Sequence, residues 1–263
     1  MIITKRRIQY QRGGSIKLKV LSDIHMGNTH CDVRAFKQYI DDPEAYFIGI
    51  GDYADAILPG DPRYARSSDS GEVEAKIDEQ VELFSGLLKG ISKEGRLLGL
   101  GSGNHERQIL KRHGTDMVGR MSKELNVPYL GYSGLYNLTL VRGTKDSRSV
   151  IIRYHHGFGG GARTQGADLT KFSRECSYWD ADLFLYGHVH RLQADKVPRL
   201  GLAGSTLVAR PQQLCICGTF LKTFGTGPEP SYSEEKGYPP IETGGLSIRL
   251  TPKPRGFKMK VSL

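Results

Sequence analysis

Five short polar motifs, each following an apolar run, carry the side chains of this sequence that could do chemistry. The most concentrated is Ser102-Gly103-Asn104-His105-Glu106, which follows the apolar run at 96–100. In open α/β sheets, ligands bind at the carboxyl ends of the strands, so polar groups at these points are candidates for a common site. The candidate residues, in chain order, are Asp23, His25, Asp52, Asn104, His105, His156, His188 and His190.

These motifs offer carboxylate, amide and imidazole groups, with no cysteine among them. Such a donor set suits Mn²⁺, Fe, Zn²⁺ or Mg²⁺, and the lack of sulfur argues against a structural zinc site. Counted without His105, the remaining seven candidate ligands are too many for one ion and suit two ions that share a bridging carboxylate. Two ions about 3.5–4 Å apart can bind a hydroxide between them and clamp the oxygens of a phosphoryl group. The pattern therefore predicts metal-dependent phosphoryl chemistry.

Strands and helices alternate where these motifs must be positioned. The run at 16–21 predicts a strand, the apolar spacing from Val33 to Ile40 predicts a helix, and Ala45 to Ile50 predicts another strand. Strand, helix and strand at this spacing form a βαβ unit, which requires a parallel sheet. A helix from about Glu72 to Leu88 and the strand at 96–100 predict a second unit.

The rest of the chain is expected to complete one domain that spans residues 1–263. The motif core runs from about 17 to 190, and the strands and Gly/Pro-rich loop of 191–263 complete the fold. Further predicted elements are a hairpin over 3–22 with a turn at 12–14, a helix at 115–125, a hairpin of strands 135–141 and 149–154, a helical segment at 167–179, a strand at 181–186 and a loop at 225–245.

Composition narrows the class of protein and its partners. The formal net charge of +9 and the pI near 9.3 favour polyanionic partners, nucleic acid first. No stretch approaches the ~20 apolar residues of a membrane helix, so no membrane partner is expected. Four scattered cysteines do not make a disulfide framework, and Cys215-x-Cys217 is typical of core residues. A cytoplasmic protein is therefore predicted.

The ordered set Asp-x-His, Gly-Asp, Gly-Asn-His-Glu, His-Gly and Gly-His-x-His resembles the calcineurin-like metallophosphoesterase family, from about Lys17 to His190. The resemblance implies an α/β fold, a sandwich of two mixed β-sheets flanked by α-helices. It also implies two divalent ions, with Mn²⁺ favoured and Fe, Zn²⁺, Mg²⁺ or Ni²⁺ as alternatives. By the same resemblance Asp23, His25 and His190 hold one ion, Asn104, His156 and His188 hold the other, Asp52 bridges them, and His105 is a catalytic non-ligand.

The segment after Asp52 departs from the family pattern, and one ligand position has two candidate histidines. After Gly51-Asp52 the chain reads Tyr53-Ala54-Asp55-Ala56, without the Asp-Arg-Gly of the Ser/Thr protein phosphatase branch, although Glu106 matches that branch. His155 and His156 compete for one ligand position, and in an extended strand they point to opposite faces. His156 is preferred because it directly precedes Gly157.

Several other residues have two possible roles each, one functional and one structural. Glu106 either orients a ligand histidine or caps the following helix. Arg107, with Lys111 and Arg112, either binds substrate phosphate or forms a solvated helix face. The glycine run 159–161 either approaches a phosphate or forms a loop. The loops at 53–71 and 232–240 are candidate substrate-selecting segments, through Tyr53, Arg63, Tyr64 and the aromatics near Tyr238. His30 and His113 have no motif around them and are assigned no site role.

These observations predict a dinuclear metal-dependent phosphoesterase. The favoured activity is that of a phosphodiesterase acting on nucleic acid or nucleotides, by in-line attack of a metal-bridging hydroxide. The alternatives are a phosphomonoesterase, acting on small molecules or proteins, and a non-catalytic nucleic-acid-binding module. The number of subunits is left open.

Overall fold

A computed structural model of the chain describes residues 1–11, 14–57, 77–144, 146–225, 230–253 and 256–263. The strands are β1 (Ile2–Gln9), β2 (Ile16–Ser22), β3 (Ala45–Gly51), β4 (Leu97–Gly101), β5 (Tyr129–Gly131), β6 (Ser133–Arg142), β7 (Asp146–His155), β8 (Leu183–Tyr186), β9 (Leu192–Val197), β10 (Leu200–Ala203), β11 (Thr206–Ala209), β12 (Gln212–Thr219), β13 (Gly244–Gly245), β14 (Ser247–Pro252) and β15 (Phe257–Ser262). The helices are α1 (Val33–Ile40), α2 (Ile77–Lys93), α3 (Asn104–His113), α4 (Met117–Glu124), α5 (Ala167–Ser173), continued by a 3₁₀ turn (Arg174–Ser177), and α6 (Tyr232–Glu235).

The six-stranded sheet has the strand order β15-β14-β2-β3-β4-β5. Its strands β2 to β5 are parallel, so the two predicted βαβ units are confirmed. Nearly every residue of β2 and β3 is buried, because helices cover one face of this sheet and the second sheet covers the other. The predicted helix at 72–88 is described from Ile77 onward and ends later, at Lys93, whereas 72–76 lie outside the described residues.

The second sheet has the order β1-β6-β7-β8-β12-β13, with β9 also paired to β12. Its inner face packs on the first sheet through a continuous apolar layer. Leu18 and Ile48 enter this layer from the six-stranded sheet, and Leu138 and Ile152 enter it from the other, all four fully buried. The predicted hairpin of 135–141 and 149–154 is confirmed, since β6 and β7 pair antiparallel.

Helices cover the outer faces of both sheets. On the six-stranded side, Phe36 of α1 and Phe84 of α2 stack with ring centroids 6.0 Å apart. On the other side, Phe172 of α5 stacks on Tyr186 of β8 at 4.3 Å. The predicted α/β sandwich of two mixed sheets flanked by helices is therefore confirmed. None of the described helices combines the length and the apolar character needed to cross a membrane.

The predicted hairpin over residues 3–22 is wrong. β1 and β2 lie in different sheets, where β1 pairs parallel with β6 and β2 pairs with β3 and β14. Both edges of β2 are therefore occupied, one of them by a strand from the last twenty residues of the chain. The expected turn falls partly on residues 12 and 13, which lie outside the described residues.

Candidate metal centre

The candidate side chains meet at one edge of the sandwich, where parallel strands of both sheets end. Backbone hydrogen bonds connect the turns that follow these strands. The amide of Asp23 donates to the carbonyl of Gly51 at 3.0 Å, and the amide of His25 donates to that of Asp52 at 3.1 Å. Within the second sheet, the amide of Gly187 donates to the carbonyl of His156 at 2.8 Å, and between the two sheets the amide of Phe220 donates to the carbonyl of Asp23 at 3.0 Å. The turns thus form one connected layer, and their side chains have little freedom to separate.

A first group of donor atoms comprises Asp23, His25 and His190, which lie within 4.8 Å of one another. Nε2 of His25 is 3.1 Å from Nε2 of His190, and Oδ1 of Asp23 is 3.3 Å from the same His190 atom. The carboxylate of Asp23 also accepts the amide of His188 at 3.0 Å, which fixes its orientation. These are the three residues that the family resemblance assigns to one ion.

A second group comprises Asp52, His156 and His188, again within 4.8 Å. Oδ1 of Asn104 joins it, at 3.0 Å from Nε2 of His156 and 2.7 Å from Nδ1 of His188. Asp52 also lies within 4.8 Å of His25 and His105, so its carboxylate stands between the two groups. Its Oδ2 is 3.2 Å from Nε2 of His156, and its Oδ1 accepts the amide of His105 at 2.9 Å.

The hydrogen bonds of His156 show that this arrangement fits a cation. Nδ1 of His156 lies 3.1 Å from the carbonyl oxygen of Ile50, which can only accept, so Nδ1 carries the proton. In the neutral ring, Nε2 then turns a lone pair toward the Asp52 carboxylate and the Asn104 oxygen. Three converging acceptors repel one another unless a positive charge lies among them. The donor set contains oxygen and imidazole nitrogen only, as hard or borderline divalent ions prefer.

A buried atom of His25 supports the same conclusion for the first group. Nδ1 of His25 is buried without a hydrogen bond within the described part of the chain, and Oδ1 of Asp55 lies 3.4 Å away. A carboxylate on the far nitrogen of an imidazole is the arrangement by which metal-binding histidines are oriented. Asp55 thus directs Nε2 of His25 toward His190, and the residues present fit a cation here as well.

The electrostatics of the site favour positive charge at its centre. Burial alone would raise the pKa of Asp52, but the nearby His156 and His105 lower it well below its usual value. Burial would lower the pKa of His156, but the charge of Asp52 and the hydrogen bond with it raise the pKa to about 9, so a proton on Nε2 supplies the positive charge among these acceptors when no ion is bound. For His25, burial is the largest effect and lowers the pKa. The carboxylates therefore stay ionised and attract a cation.

Two glycines bring the second group together. A Cβ on Gly103 would overlap the backbone nitrogen and Oδ1 of Asp52, and a Cβ on Gly51 would overlap the backbone of Gly103. Gly51 also has a φ of +116°, which side-chain-bearing residues rarely adopt. The turns after β3 and β4 can touch only because both positions lack side chains. Their contact places Asp52 beside Asn104, which explains the glycines in these two motifs.

Five residues of the site have a left-handed backbone. The φ values are 51° for Asp23, 54° for His25, 55° for Asp52, 71° for His188 and 59° for His190. Only two other non-glycine residues in the described ranges share this conformation. Such conformations cost of order 1–3 kcal/mol each, and they concentrate at functional sites. The fold therefore holds these donors in place by its own packing.

Glu106 resolves the choice that the sequence left open, because its carboxylate binds the turn that carries Asp52. It is buried and accepts the amides of Asp52 at 3.0 Å, Tyr53 at 2.6 Å and Gly103 at 2.9 Å. Burial and, after it, the charge of Asp52 raise its pKa. Glu106 thus caps the start of α3 by accepting the amide of Gly103, and it also orients the turn of Asp52.

Replacing Glu106 by Ala should lower the free energy of unfolding by about 3 kcal/mol, because buried amides lose their acceptor at a cost of about 1–3 kcal/mol each. The change should also weaken metal binding, since the turn of Asp52 loses its support. Urea denaturation and metal titration measure the two effects. Glu124→Ala, at an exposed position at the end of α4, is the matched control and should change either quantity little. Equal stability of the two variants would contradict this role.

The structure brings His156, and not His155, into the cluster. His156 is fully buried against Asn104 and Asp52. His155 points away, with its Nδ1 accepting the amide of Gly157 at 2.8 Å and its ring 5.5 Å from that of Phe158. His105 lies beside the cluster, and its Nδ1 is 2.5 Å from the carbonyl oxygen of Asp55.

The cluster opens into a cavity of about 230 Å³ whose wall includes residues that no motif indicated. Asn28, His30 and Asp55 line it beside the predicted residues, as do Leu221 and Ser231. The sequence offered a weak signal only for Asp55, which follows Asp52 by three residues. His30 comes to this wall through the loop after β2, and its amide donates to Oδ1 of Asn28 at 2.9 Å.

A second cavity, of about 210 Å³, adjoins His188 and His190. It is lined by the glycine run 159–161 and by Tyr238 and Pro239 of the predicted substrate-selecting loop. That run is tied down at Gly160, whose carbonyl accepts from Lys171 at 3.1 Å. The other candidate loop gave Arg63 and Tyr64, which lie outside the described residues, and Tyr53, which is fully buried.

No family model matches the chain, and no curated protein matches it. Among solved structures, it is similar to a metallophosphoesterase from Sphaerobacter thermophilus, with 11% identity, 94% of this chain and 89% of that chain covered, and a TM-score of 0.41. It is similar to a predicted phosphoesterase from Streptococcus pneumoniae, with 16% identity, 94% and 89% covered, and a TM-score of 0.34. It is also similar to Vps29 from Chaetomium thermophilum, with 12% identity, 94% and 96% covered, and a TM-score of 0.39.

Proposed function

We propose that this protein is a dinuclear metal-dependent phosphoesterase, and that it hydrolyses phosphodiesters of nucleic acid or nucleotides. The observation that carries the proposal is the convergence of two donor groups on Asp52. Asp23, His25 and His190 would hold one ion, and Asn104, His156 and His188 would hold the other. The donor set suits several divalent ions, and the family resemblance favours Mn²⁺, with Fe, Zn²⁺, Mg²⁺ and Ni²⁺ as alternatives.

When bound, two divalent ions supply Lewis-acid stabilisation of charge on a phosphoryl group and lower the pKa of water. The residues of the chain supply position and proton transfer. Asp55 and the carbonyl of Ile50 orient the rings of His25 and His156. His105 lines the cavity and donates through Nδ1 to the carbonyl of Asp55, so in the imidazolium form Nε2 carries the second proton and is the atom that gives it to the leaving oxygen, which leaves the neutral ring.

The choice of a diester over a monoester depends on charge and on sequence. The chain carries a net charge of +9, which favours a polyanionic substrate. It also lacks the Asp-Arg-Gly after Asp52 that accompanies protein phosphatase activity in the family it resembles. A phosphomonoesterase remains the competing activity, and a non-catalytic nucleic-acid-binding module is the competing class.

A metal screen crossed with two substrates tests the proposal. The purified chain is stripped with EDTA, reloaded separately with each of the five ions, and assayed with bis-p-nitrophenyl phosphate and p-nitrophenyl phosphate. We expect metal-dependent hydrolysis with preference for the diester. A strong preference for the monoester would reject the diesterase assignment. Nucleic-acid binding that survives chelation, without hydrolysis of either substrate under any ion, would favour the binding module.

A further inference from the structure

A basic groove leads away from the metal centre along helix α3. It has a volume of about 470 Å³, and we call it the α3 groove. Asn104 lines both this groove and the cavity over the donor cluster, so the two adjoin at this residue. The α3 groove is lined by Asn104, Arg107, Gln108, Lys111, Arg112 and Tyr132.

The three cations of the groove have no acidic partner among the described residues. Within the described ranges, Arg107, Lys111 and Arg112 form no ion pair with a carboxylate, and the lining contains no acidic residue. Arg107 and Lys111 are four residues apart on one helix, a like-charge spacing that destabilises an isolated helix. Arg107 also lies near the positive end of the helix dipole, which disfavours a cation. At Arg107 the groove therefore keeps positive charge where helix stability would favour another residue, whereas Lys111 and Arg112 lie in the last turn, where the helix dipole favours cations.

An aromatic ring forms the opposite wall. The guanidinium of Arg107 lies 5.9 Å from the ring centroid of Tyr132. The hydroxyl of Tyr132 donates to the carbonyl of Gly157 at 3.0 Å, and its ring meets that of His156 edge-on at 5.5 Å. Tyr132 thus connects the groove to the donor cluster by a fixed side chain. Cations beside an aromatic or guanidinium plane are the features with which proteins bind single-stranded nucleic acid.

We propose that the α3 groove binds the sugar-phosphate backbone of single-stranded nucleic acid, next to the phosphodiester that is cleaved at the metal centre. The cleavage part of this statement rests on the proposed function, whereas the binding part does not. Lys111 and Arg112 contact phosphates, and the plane of Arg107 and Tyr132 contacts a base or sugar. The preferred substrate is then a strand of several nucleotides rather than a single nucleotide.

The test compares two double charge reversals that change net charge equally. Lys111→Glu with Arg112→Glu alters the groove. Lys258→Glu with Lys260→Glu is the control on β15, at the opposite edge of the six-stranded sheet from β5. Binding of a fluorescein-labelled 12-nucleotide dT strand and of a 12-base-pair duplex is measured in EDTA by fluorescence anisotropy, over a range of salt concentrations. Hydrolysis of bis-p-nitrophenyl phosphate by the wild-type chain with metal is measured separately.

We expect the wild-type chain to bind the single strand more tightly than the duplex. The groove variant should bind it at least about tenfold more weakly, with the slope of log K against log salt reduced by about 1.4 for two lost phosphate contacts. The control should stay within about threefold of the wild type. Equal loss in both variants, no strand binding by the wild type, or preference for the duplex would each overturn the proposal. Absence of diester hydrolysis with intact strand binding would reject the proposed function and leave the groove assignment standing.

Discussion

Asp52→Asn is expected to remove bound metal and hydrolysis together. The Asp52 carboxylate faces both donor groups, and the amide of Asn has no net charge to offer either ion. Turnover should fall at least about 10³-fold, because Lewis-acid stabilisation supplies several kcal/mol and about 1.4 kcal/mol corresponds to a factor of ten. Metal content after gel filtration and hydrolysis of bis-p-nitrophenyl phosphate give the two readouts.

Asp116→Asn is the matched control for this experiment. Asp116 caps helix α4 by accepting the amide of Gly119 at 2.8 Å, and Asn caps helices about as well as Asp. The control should keep both the metal and the activity. If Asp52→Asn retained two equivalents of metal, Asp52 would not be the shared ligand, and the pairing of the donor groups would have to be revised.

His105→Asn is expected to lower turnover while metal content stays near that of the wild type. Asn can still donate to the carbonyl of Asp55, but it cannot protonate a leaving oxygen. General acid catalysis contributes typically 10²–10⁴-fold, so a dinucleotide or other unactivated diester should lose that much. Bis-p-nitrophenyl phosphate should lose less, because p-nitrophenolate departs without a proton.

The difference between the two substrates separates proton transfer from simple damage to the site. His113→Asn makes the same substitution at an exposed position at the end of the same helix, and its rates should match those of the wild type. A His105→Asn variant that cleaved the unactivated diester at the wild-type rate would rule out the assigned role. A large loss of metal in that variant would instead make His105 a ligand.

The elements that position the site could be predicted because each has a local cause. Strands β3 and β4 are buried on both faces and are apolar runs, β2 alternates apolar residues with two lysines before Val20 and Leu21, and α1 has its own apolar stripe. The first hairpin could not be predicted correctly, since the occupant of the free edge of β2 comes from the other end of the chain. The local sequence pattern predicts which residues are buried, but it does not predict which strand pairs with them.

The candidate metal-binding residues could be predicted from the sequence, whereas the residues that orient them or line the cavity could not. The carboxylate, amide and imidazole groups of the site recur in short motifs at strand ends. In contrast, Asp55, Asn28 and His30 reach the site only because of the paths of two turns. Glu106 shows the same limit, because its amide partners lie on turns after two different strands. The sequence left open a helix cap or a group that orients a ligand histidine, and in the folded chain Glu106 caps α3 and holds the turn of Asp52 instead of a histidine ring.

The left-handed backbone at Asp23, His25, Asp52, His188 and His190 has a consequence for how this protein can change. At about 1 kcal/mol each, the five positions together cost about 5 kcal/mol, a large share of the roughly 5–15 kcal/mol by which domains are stable. Glycine would adopt the same conformation freely, so a library screened by melting temperature alone would enrich glycine at the partly exposed positions 188 and 190, where no buried amide loses its acceptor. Thermal selection would then erase the chemistry while improving the measured property, and engineering of this scaffold needs a second screen for bound ions.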